Sequence, residues 1–187
     1  MVGQAPTKAS RARVNKKDLI DRCRAGERDA QRELYEHTST PIYRLLLRMT
    51  GDPDYAADLT QETYVKGLRG LDRFDGRSEI ATWFYSIAVN QALQFRRRKS
   101  TLALKMEKLA PTQPTEEQDP GTDVRLDVQA AMAELALEDR AILLLRYHEE
   151  LDYRGIAEVL ECAEGTVASR LNRARERLRE ILRKSYG

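Results

Sequence analysis

The segment from Pro111 to Asp123 constrains the fold of this chain more than any other stretch. Its sequence is P-T-Q-P-T-E-E-Q-D-P-G-T-D, with three prolines, one glycine, four acids and no large apolar residue. Such a segment neither continues a helix nor joins a hydrophobic core, so it predicts a linker between two folding units. We expect a basic N-terminal tail at 1–15, a first domain at 16–99, a flexible linker at 100–124 and a second domain at 125–187.

Both predicted domains have the apolar spacing of helices. Hydrophobic residues recur every three or four positions, and neither domain shows the alternation that marks strands. Helical pieces of this size can each close a small core. The fold class predicted is therefore all-α, with two small helical domains.

The composition of the chain excludes several classes of protein. Hydrophobic residues make up 41% and charged residues 33%, which is too apolar for a disordered chain and too charged for a membrane protein. No run approaches the roughly 18 apolar residues of a membrane span, and no signal peptide follows the basic N-terminus. We therefore expect a cytoplasmic protein with no membrane partner.

The residue types that usually carry catalysis or bind metals are sparse. Cys23 and Cys162 fall at apolar helical positions, typical of thiols in a reducing compartment, and the two histidines lack the spacing of a zinc site. The sequence has no glycine-rich phosphate loop and no Ser-His-Asp set. We expect no catalytic residue, no metal and no cofactor, and so no enzyme.

Positive charge is concentrated in three places although the net charge is only +2. Basic residues cluster in 1–17, in the unbroken run Arg96 to Lys99, and in 166–184. A polyanion responds to the distribution of charge and not to its sum. Each cluster alone is compatible with an ordinary solvated helix end, so its meaning depends on its surroundings.

Helix boundaries in the first domain follow from capping residues and prolines. Asn15 is positioned to cap a short helix, and Pro41 should interrupt the next segment and begin a new helix. Asp52 followed by Pro53 is an N-cap with proline at the first helical position. Ser78 should begin a long helix that ends in the basic run.

The second domain contains a helix-turn-helix pattern. Asp152 can cap one helix, and Thr166 begins another after a short turn. The second helix should pack inward through Val167, Leu171, Ala174 and Leu178, leaving exposed Ser169, Arg170, Asn172 and Arg173. Arginine and asparagine can read base edges in the major groove, so we favour DNA binding over an ordinary antiparallel helix pair.

The long helix from Ser78 has a polar stripe that ends in basic residues: Ser86, Asn90, Gln94 and Arg97. With Trp83 nearby, it offers amide, guanidinium and aromatic groups that suit a single nucleic-acid strand. Trp83 by itself is better explained as a core residue, so Asn90 is the sharper candidate.

The helix that begins at Pro53 has an acidic face carrying Asp58, Gln61, Glu62 and Lys66. Two acids and an amide on one face suit a basic protein partner. A solvated surface explains the same pattern.

Three motifs together resemble the sigma-70 family, in particular its extracytoplasmic function subgroup. They are A-A-D-L-T-Q-E-T-Y-V-K-G-L with the following F-D-G-R-S, then T-W-F-Y-S-I-A-V-N, and near the C-terminus E-G-T-V-A-S-R-L-N-R-A-R. The resemblance covers about residues 16–99 and 125–184. It implies a region-two domain followed by a region-four domain in a promoter-specific transcription initiation factor.

The resemblance also implies roles for particular residues. Asp58, Gln61 and Glu62 correspond to the helix that docks on the polymerase clamp. The single strand of the melted promoter would be held by Phe74, Asp75, Gly76, Arg77, Ser78, Trp83, Asn90, Gln94 and Arg97. Upstream duplex DNA would be read by Thr166, Ser169, Arg170, Asn172, Arg173 and Arg177. The partners implied are core RNA polymerase, promoter DNA and an anti-sigma factor.

Some positions depart from the family pattern. Ala168 and Gln94 stand where a basic residue and an aspartate are frequent, and Glu161 and Ala163 replace the usual glycine and proline of the turn. A left-handed Glu161 would cost about 1 kcal/mol more than glycine. The promoter sequence is therefore not transferable from the family.

Two other functions are compatible with parts of the sequence. A helix-turn-helix repressor or activator would use the second domain and leave the first unexplained, and a helical adaptor would leave the recognition helix unexplained. Specific transcription by core polymerase distinguishes these alternatives.

Overall fold

The computed structural model describes residues 16–105 and 123–185, with the side chains of 18–97 and 128–184. These residues form helices and connecting turns without a strand. The helices are α1 Lys16–Arg24, α2 Arg28–Thr50, α3 Pro53–Gly70, α4 Ile80–Lys105, α5 Asp123–Glu134, α6 Leu137–Tyr147, α7 Tyr153–Val159 and α8 Glu164–Ser185, with a 3-10 turn at Leu71–Arg73. The all-α prediction is confirmed. The N-terminal tail, the Asn15 cap and most of the Pro111–Asp123 segment lie outside the described residues.

Helices α2, α3 and α4 form the core of the first domain. Phe84 of α4 is completely buried, with its ring centroid 4.9 Å from that of Tyr64 on α3. Gly67 lies against the same ring, where the absence of a side chain lets α3 and α4 approach closely. The three helices therefore position the acidic face of α3 and the polar stripe of α4 on one rigid unit.

Both aspartate caps predicted from the sequence are confirmed. The Asp52 carboxylate accepts hydrogen bonds from the backbone N–H groups of Asp54 and Tyr55, with Pro53 at the first helical position. The Asp152 carboxylate accepts from the Gly155 N–H at 2.7 Å. Each cap satisfies N–H groups that a helix start leaves unpaired.

The predicted break before Pro41 is wrong, because α2 runs continuously through it. A proline inside a helix removes one hydrogen bond and costs about 3 kcal/mol. Leu34 lies buried before the proline, and Ile42 and Leu46 lie buried after it on the same face. Burying each such side chain contributes about 1.5–3 kcal/mol. The stabilisation from a continuous buried face therefore exceeds the cost of a proline inside the helix.

Two predicted helix starts are shifted. The long helix α4 begins at Ile80 and not at Ser78, and the carbonyl of Glu79 accepts the hydrogen bond from the Trp83 N–H. Helix α8 begins at Glu164, ahead of Thr166, so Thr166 lies within its first turn. Helix α4 also continues to Lys105, beyond residue 99, where the sequence predicts the end of the first domain.

Helices α5 to α8 form the second domain. Val167, Leu171 and Ala174 of α8 are fully buried and Leu178 is partly buried, as the apolar spacing predicts. Helices α6 and α7 supply most of the opposing surface through Ile142, Leu145 and similar residues. None of the helices in the described ranges combines the length and apolar character needed to cross a bilayer.

Candidate nucleic-acid interface

The turn between α7 and α8 has the hydrogen bonds of a Schellman motif. The Cys162 N–H donates to the Ala157 carbonyl at 3.0 Å, and the Glu161 N–H donates to the Glu158 carbonyl at 3.4 Å. Glu161 is the left-handed residue that such a motif requires, with φ of 48°. The left-handed geometry considered for Glu161 is therefore observed, at a position where glycine would be less strained.

The exposed face of α8 carries four of the six side chains predicted to read DNA: Ser169, Arg170, Asn172 and Arg173. The Ser169 hydroxyl donates to the Thr166 carbonyl at 2.9 Å, and the Arg173 Nε donates weakly to the Ser169 carbonyl at 3.4 Å. Thr166 itself is half-buried. The helix thus separates an apolar side from a side rich in hydrogen-bond donors.

Arg177 differs from the other candidates on α8. Its Nη1 donates to the carboxylate of Asp139 on α6, which forms an ion pair between the two helices. Arg175, a neighbouring basic residue, lies with its guanidinium 5.9 Å from the Tyr147 ring centroid. Both arginines therefore have contacts within the domain.

The loop before α4 has one buried residue and an exposed tip. Phe74 is buried against Trp83, with ring centroids 5.7 Å apart. The Asp75 carboxylate accepts from the Arg77 backbone N–H at 3.0 Å and pairs with the Arg77 side chain at 3.0 Å. Gly76 has φ of 75° at the tip, and no atom lies within 4 Å of where a Cβ would stand. The tip therefore leaves open space beside a basic side chain.

Arg24 of α1 holds the base of this loop. Its guanidinium donates to the carbonyl of Phe74, and its Nε donates to the carbonyl of Leu71 at 3.3 Å. These hydrogen bonds join positions far apart in the chain. No local sequence pattern indicates Arg24, so it was not predicted as a functional residue.

The polar stripe on α4 is present but unevenly exposed. Ser86 is half-buried, and its hydroxyl donates to the Trp83 carbonyl at 2.8 Å. Gln94 and Arg97 are exposed, whereas Asn90 is half-buried and its Nδ2 donates to Glu161 at 3.0 Å. Trp83 is half-buried between the loop and the core.

The acidic face of α3 exposes Asp58, Gln61 and Glu62 together. The buried amide of Gln91 on α4 donates to the Glu62 carboxylate at 2.8 Å and accepts from the Lys66 ammonium. Gln91 follows Asn90 directly in the chain. The acidic face of α3 and the polar stripe of α4 are therefore linked through one buried amide.

Comparison with known families identifies both domains. The family model described as Sigma-70 region 2 matches residues 34–101, and the model described as Sigma-70, region 4 matches residues 125–178. RNA polymerase sigma factor YlaC of Bacillus subtilis (strain 168) is 35% identical over 166 residues, covering 84% of this chain and 95% of that protein. The ECF RNA polymerase sigma factor SigW of the same strain is 29% identical over 180 residues, covering 89% of this chain and 96% of that protein.

The chain belongs to the extracytoplasmic function group of the sigma-70 family. A sigma factor is a transcription initiation factor without enzymatic activity of its own, so the family membership excludes the repressor and adaptor alternatives. The fold agrees with a solved sigma factor, RpoE from Bartonella quintana in complex with the anti-sigma factor NepR. That structure has a TM-score of 0.68 at 24% identity, over 81% of this chain and 96% of that one.

Proposed function

We propose that this sigma factor binds core RNA polymerase through α3, holds the melted promoter strand on α4 and the preceding loop, and reads upstream duplex DNA with α8. The observation that carries the proposal is the division of α8, whose buried stripe leaves Ser169, Arg170, Asn172 and Arg173 together on the exposed side of a helix-turn-helix. The proposed domain limits are 16–99 and 125–187, joined by the linker 100–124 and preceded by the tail 1–15.

The α3 surface suits a basic partner. Asp58 and Glu62 are one helical turn apart and exposed, with Gln61 beside them. Acids on an interface rim accelerate encounter with a basic surface and set its orientation. We assign these residues to polymerase docking.

We assign promoter melting to the loop at 74–78 and to the polar stripe of α4. Extruding a base costs a few kcal/mol, which contacts with the base and its backbone must offset. Because Phe74 is buried, the loop residues available to an extruded base are Asp75, Gly76 and Arg77 at the open tip. Asn90, Gln94 and Arg97 would continue the track along α4.

Duplex recognition is assigned to α8. Arginine donates two hydrogen bonds to guanine and asparagine pairs with adenine in the major groove, while serine and threonine contact phosphate. Arg170, Asn172 and Arg173 are exposed with the required donors. Arg177 is the weakest member of the proposed set, because it is paired with Asp139.

The proposed partners follow from the family. The activity requires core polymerase and promoter DNA, so we propose that the protein acts in the cytoplasm. Related folds have been solved as complexes, RpoE with the anti-sigma factor NepR and CnrH with the cytosolic domain of CnrY. We propose that an anti-sigma factor also binds this chain.

The experiment that tests this function is transcription by purified core polymerase with and without the protein, on genomic DNA fragments, followed by sequencing of transcript 5′ ends. New and reproducible start sites that share two upstream elements are the expected result. Start sites identical to those of core polymerase alone would refute the proposal.

A further inference from the structure

The second domain packs directly on the DNA-facing side of the first, with α7 and the turn after it lying against α4. The central contact is between the Asn90 amide and the Glu161 carboxylate, at 3.0 Å. Asn90 is the residue proposed to line the melted strand. Its side chain is therefore occupied by the chain's own helix-turn-helix turn.

Glu161 is an unfavourable residue for the backbone position that it occupies. Its left-handed φ of 48° is strained for a residue with a side chain, whereas glycine adopts it freely. The Schellman turn would be more stable with glycine, so local folding does not explain a glutamate here. The Glu161 side chain instead contacts the first domain, where its carboxylate accepts the hydrogen bond from Asn90.

Two further glutamates of the second domain face α4. The buried Tyr85 hydroxyl donates to the Glu149 carboxylate, and Glu138 lies 4.0 Å from the Arg97 guanidinium. Burial raises the pKa of Glu149 above its ordinary value, which agrees with its position inside the contact. An ionised carboxylate only accepts hydrogen bonds, as a phosphate does.

A buried arginine of α6 also joins the two domains, through the end of α2. Arg140 of α6 is only 5% exposed, and its Nη1 donates to the Met49 carbonyl at 2.7 Å, near the end of α2. The last carbonyls of a helix have no partner within the helix and carry the negative end of its dipole. Arg140 also donates to carbonyls of its own domain, at Ala133 and Leu135, so it joins the two domains through backbone groups.

The other two functional faces stay open in this arrangement. Asp58 and Glu62 on α3 are exposed, and so are Arg170 and Arg173 on α8. Closure thus reaches one functional surface, the α4 stripe at Asn90, while Gln94, Arg97 and the loop tip stay exposed.

We infer that Glu138, Glu149 and Glu161 form an internal acidic mimic of the DNA backbone that occupies Asn90 and the adjacent part of the α4 strand-binding surface in the free protein, so that the domains must separate before a melted strand binds there. The inference rests on the proposed role of Asn90.

The test compares the full-length parent with Glu149→Ala combined with Glu161→Gly. Glycine relieves the left-handed strain, so this variant removes both carboxylates without weakening the turn. The matched control is Glu134→Ala combined with Glu176→Ala, which removes the same charge from exposed positions on α5 and α8. Small-angle X-ray scattering measures the radius of gyration, and anisotropy of a fluorescein-labelled mixed-sequence DNA single strand measures binding at fixed salt.

We expect the opened variant to have a larger radius of gyration than the parent and to bind the single strand at least tenfold more tightly, since one hydrogen bond to a charged acceptor already stabilises the closed state by about that factor. The control should match the parent in scattering and bind much less tightly than the opened variant. An unchanged radius of gyration, or a gain in affinity equal to that of the control, would overturn the inference. Transcription assays on both variants distinguish failure of this inference from failure of the proposed function. Start sites retained by the variants support the sigma-factor function whether or not scattering shows that the domains separate.

Discussion

The side-chain amide of Gln91 donates a 2.8 Å hydrogen bond to the carboxylate of Glu62, joining the promoter-facing helix α4 to the polymerase-facing helix α3. Gln91 is only 5% exposed, so its amide depends on partners inside the protein. Removing the Glu62 side chain would leave a buried donor unpaired, at a cost of about 1–3 kcal/mol. Variants that test docking must therefore preserve an acceptor at this position.

Asp58→Asn combined with Glu62→Gln should weaken binding to core polymerase by about tenfold or more, equivalent to about 1.4 kcal/mol. Both side chains become neutral, while the new amide at position 62 retains an oxygen that can accept from Gln91. The measurement is affinity for core enzyme, with urea unfolding to confirm that stability is preserved. Glu36→Gln combined with Asp72→Asn, at exposed acids elsewhere in the domain, is the control. Equal affinity of the docking variant and the parent would remove α3 from the polymerase interface.

Asn90→Ala should impair promoter opening more than formation of the closed complex, because the amide is assigned to unpaired DNA and not to duplex. Permanganate footprinting of the holoenzyme reports opening, and gel shift at low temperature reports the closed complex. Normal reactivity of the melted thymines would exclude Asn90 from the strand-binding surface.

Alanine at Arg170 or Arg173 should act differently from alanine at Arg177. Removing a side chain that reads a base costs about 1–3 kcal/mol and relaxes preference at one base pair, whereas removing one that binds phosphate weakens all sequences and lowers the salt slope by about one. Arg177→Ala should mainly destabilise the second domain, since it breaks the ion pair with Asp139. Holoenzyme transcription across upstream elements varied one base at a time provides the comparison. If alanine at Ser169, Arg170, Asn172 and Arg173 leaves base preference unchanged in every case, α8 is not the reader.

Gly67→Ala should destabilise the first domain by about 1–3 kcal/mol, a typical cost of overpacking. A Cβ at this position would stand 2.3 Å from Cε1 of Phe84, whose ring is fully buried. Gly70→Ala is the matched control, because its Cβ would lie at an ordinary 3.7 Å from the Trp83 ring. Urea denaturation measures both free energies of unfolding. A Gly67 variant as stable as the Gly70 variant would show that α3 and α4 are not in close contact there.

Tyr64 should make stability fall at alkaline pH. Burial raises the pKa of its hydroxyl from 10.0 to about 12, although the hydrogen bond with Thr38 opposes the shift. A raised folded-state pKa stabilises the fold fully below pH 10 and loses that contribution as the pH rises through about 12. The upper limit of the change is about 2.7 kcal/mol, at about 1.36 kcal/mol per pKa unit. Denaturant titrations from neutral to alkaline pH should show a shallower decline for Tyr64→Phe, and an identical decline would contradict the assignment.

The helix-turn-helix and the capped helix starts could be predicted because their causes are local. A cap depends on a side chain and an N–H group two or three residues later, as at Asp52 and Asp152. The alternation of buried and exposed residues on α8 follows from 3.6 residues per turn. Local sequence does not determine whether Pro41 interrupts α2, because the outcome depends on how much apolar surface the other helices bury on either side of the proline.

Sequence alone determined the helical class, the two-part organisation expected around the Pro111 segment, and the composition of the three candidate surfaces. Only the tertiary structure decided that Phe74 is buried and held by Arg24, that Gln91 links Glu62 to α4, and that Asn90 meets Glu161. These contacts join residues that lie from 29 to 71 positions apart in the chain. A periodic pattern records which face of a helix is apolar, but which polar partner meets that face depends on the packing of the complete chain.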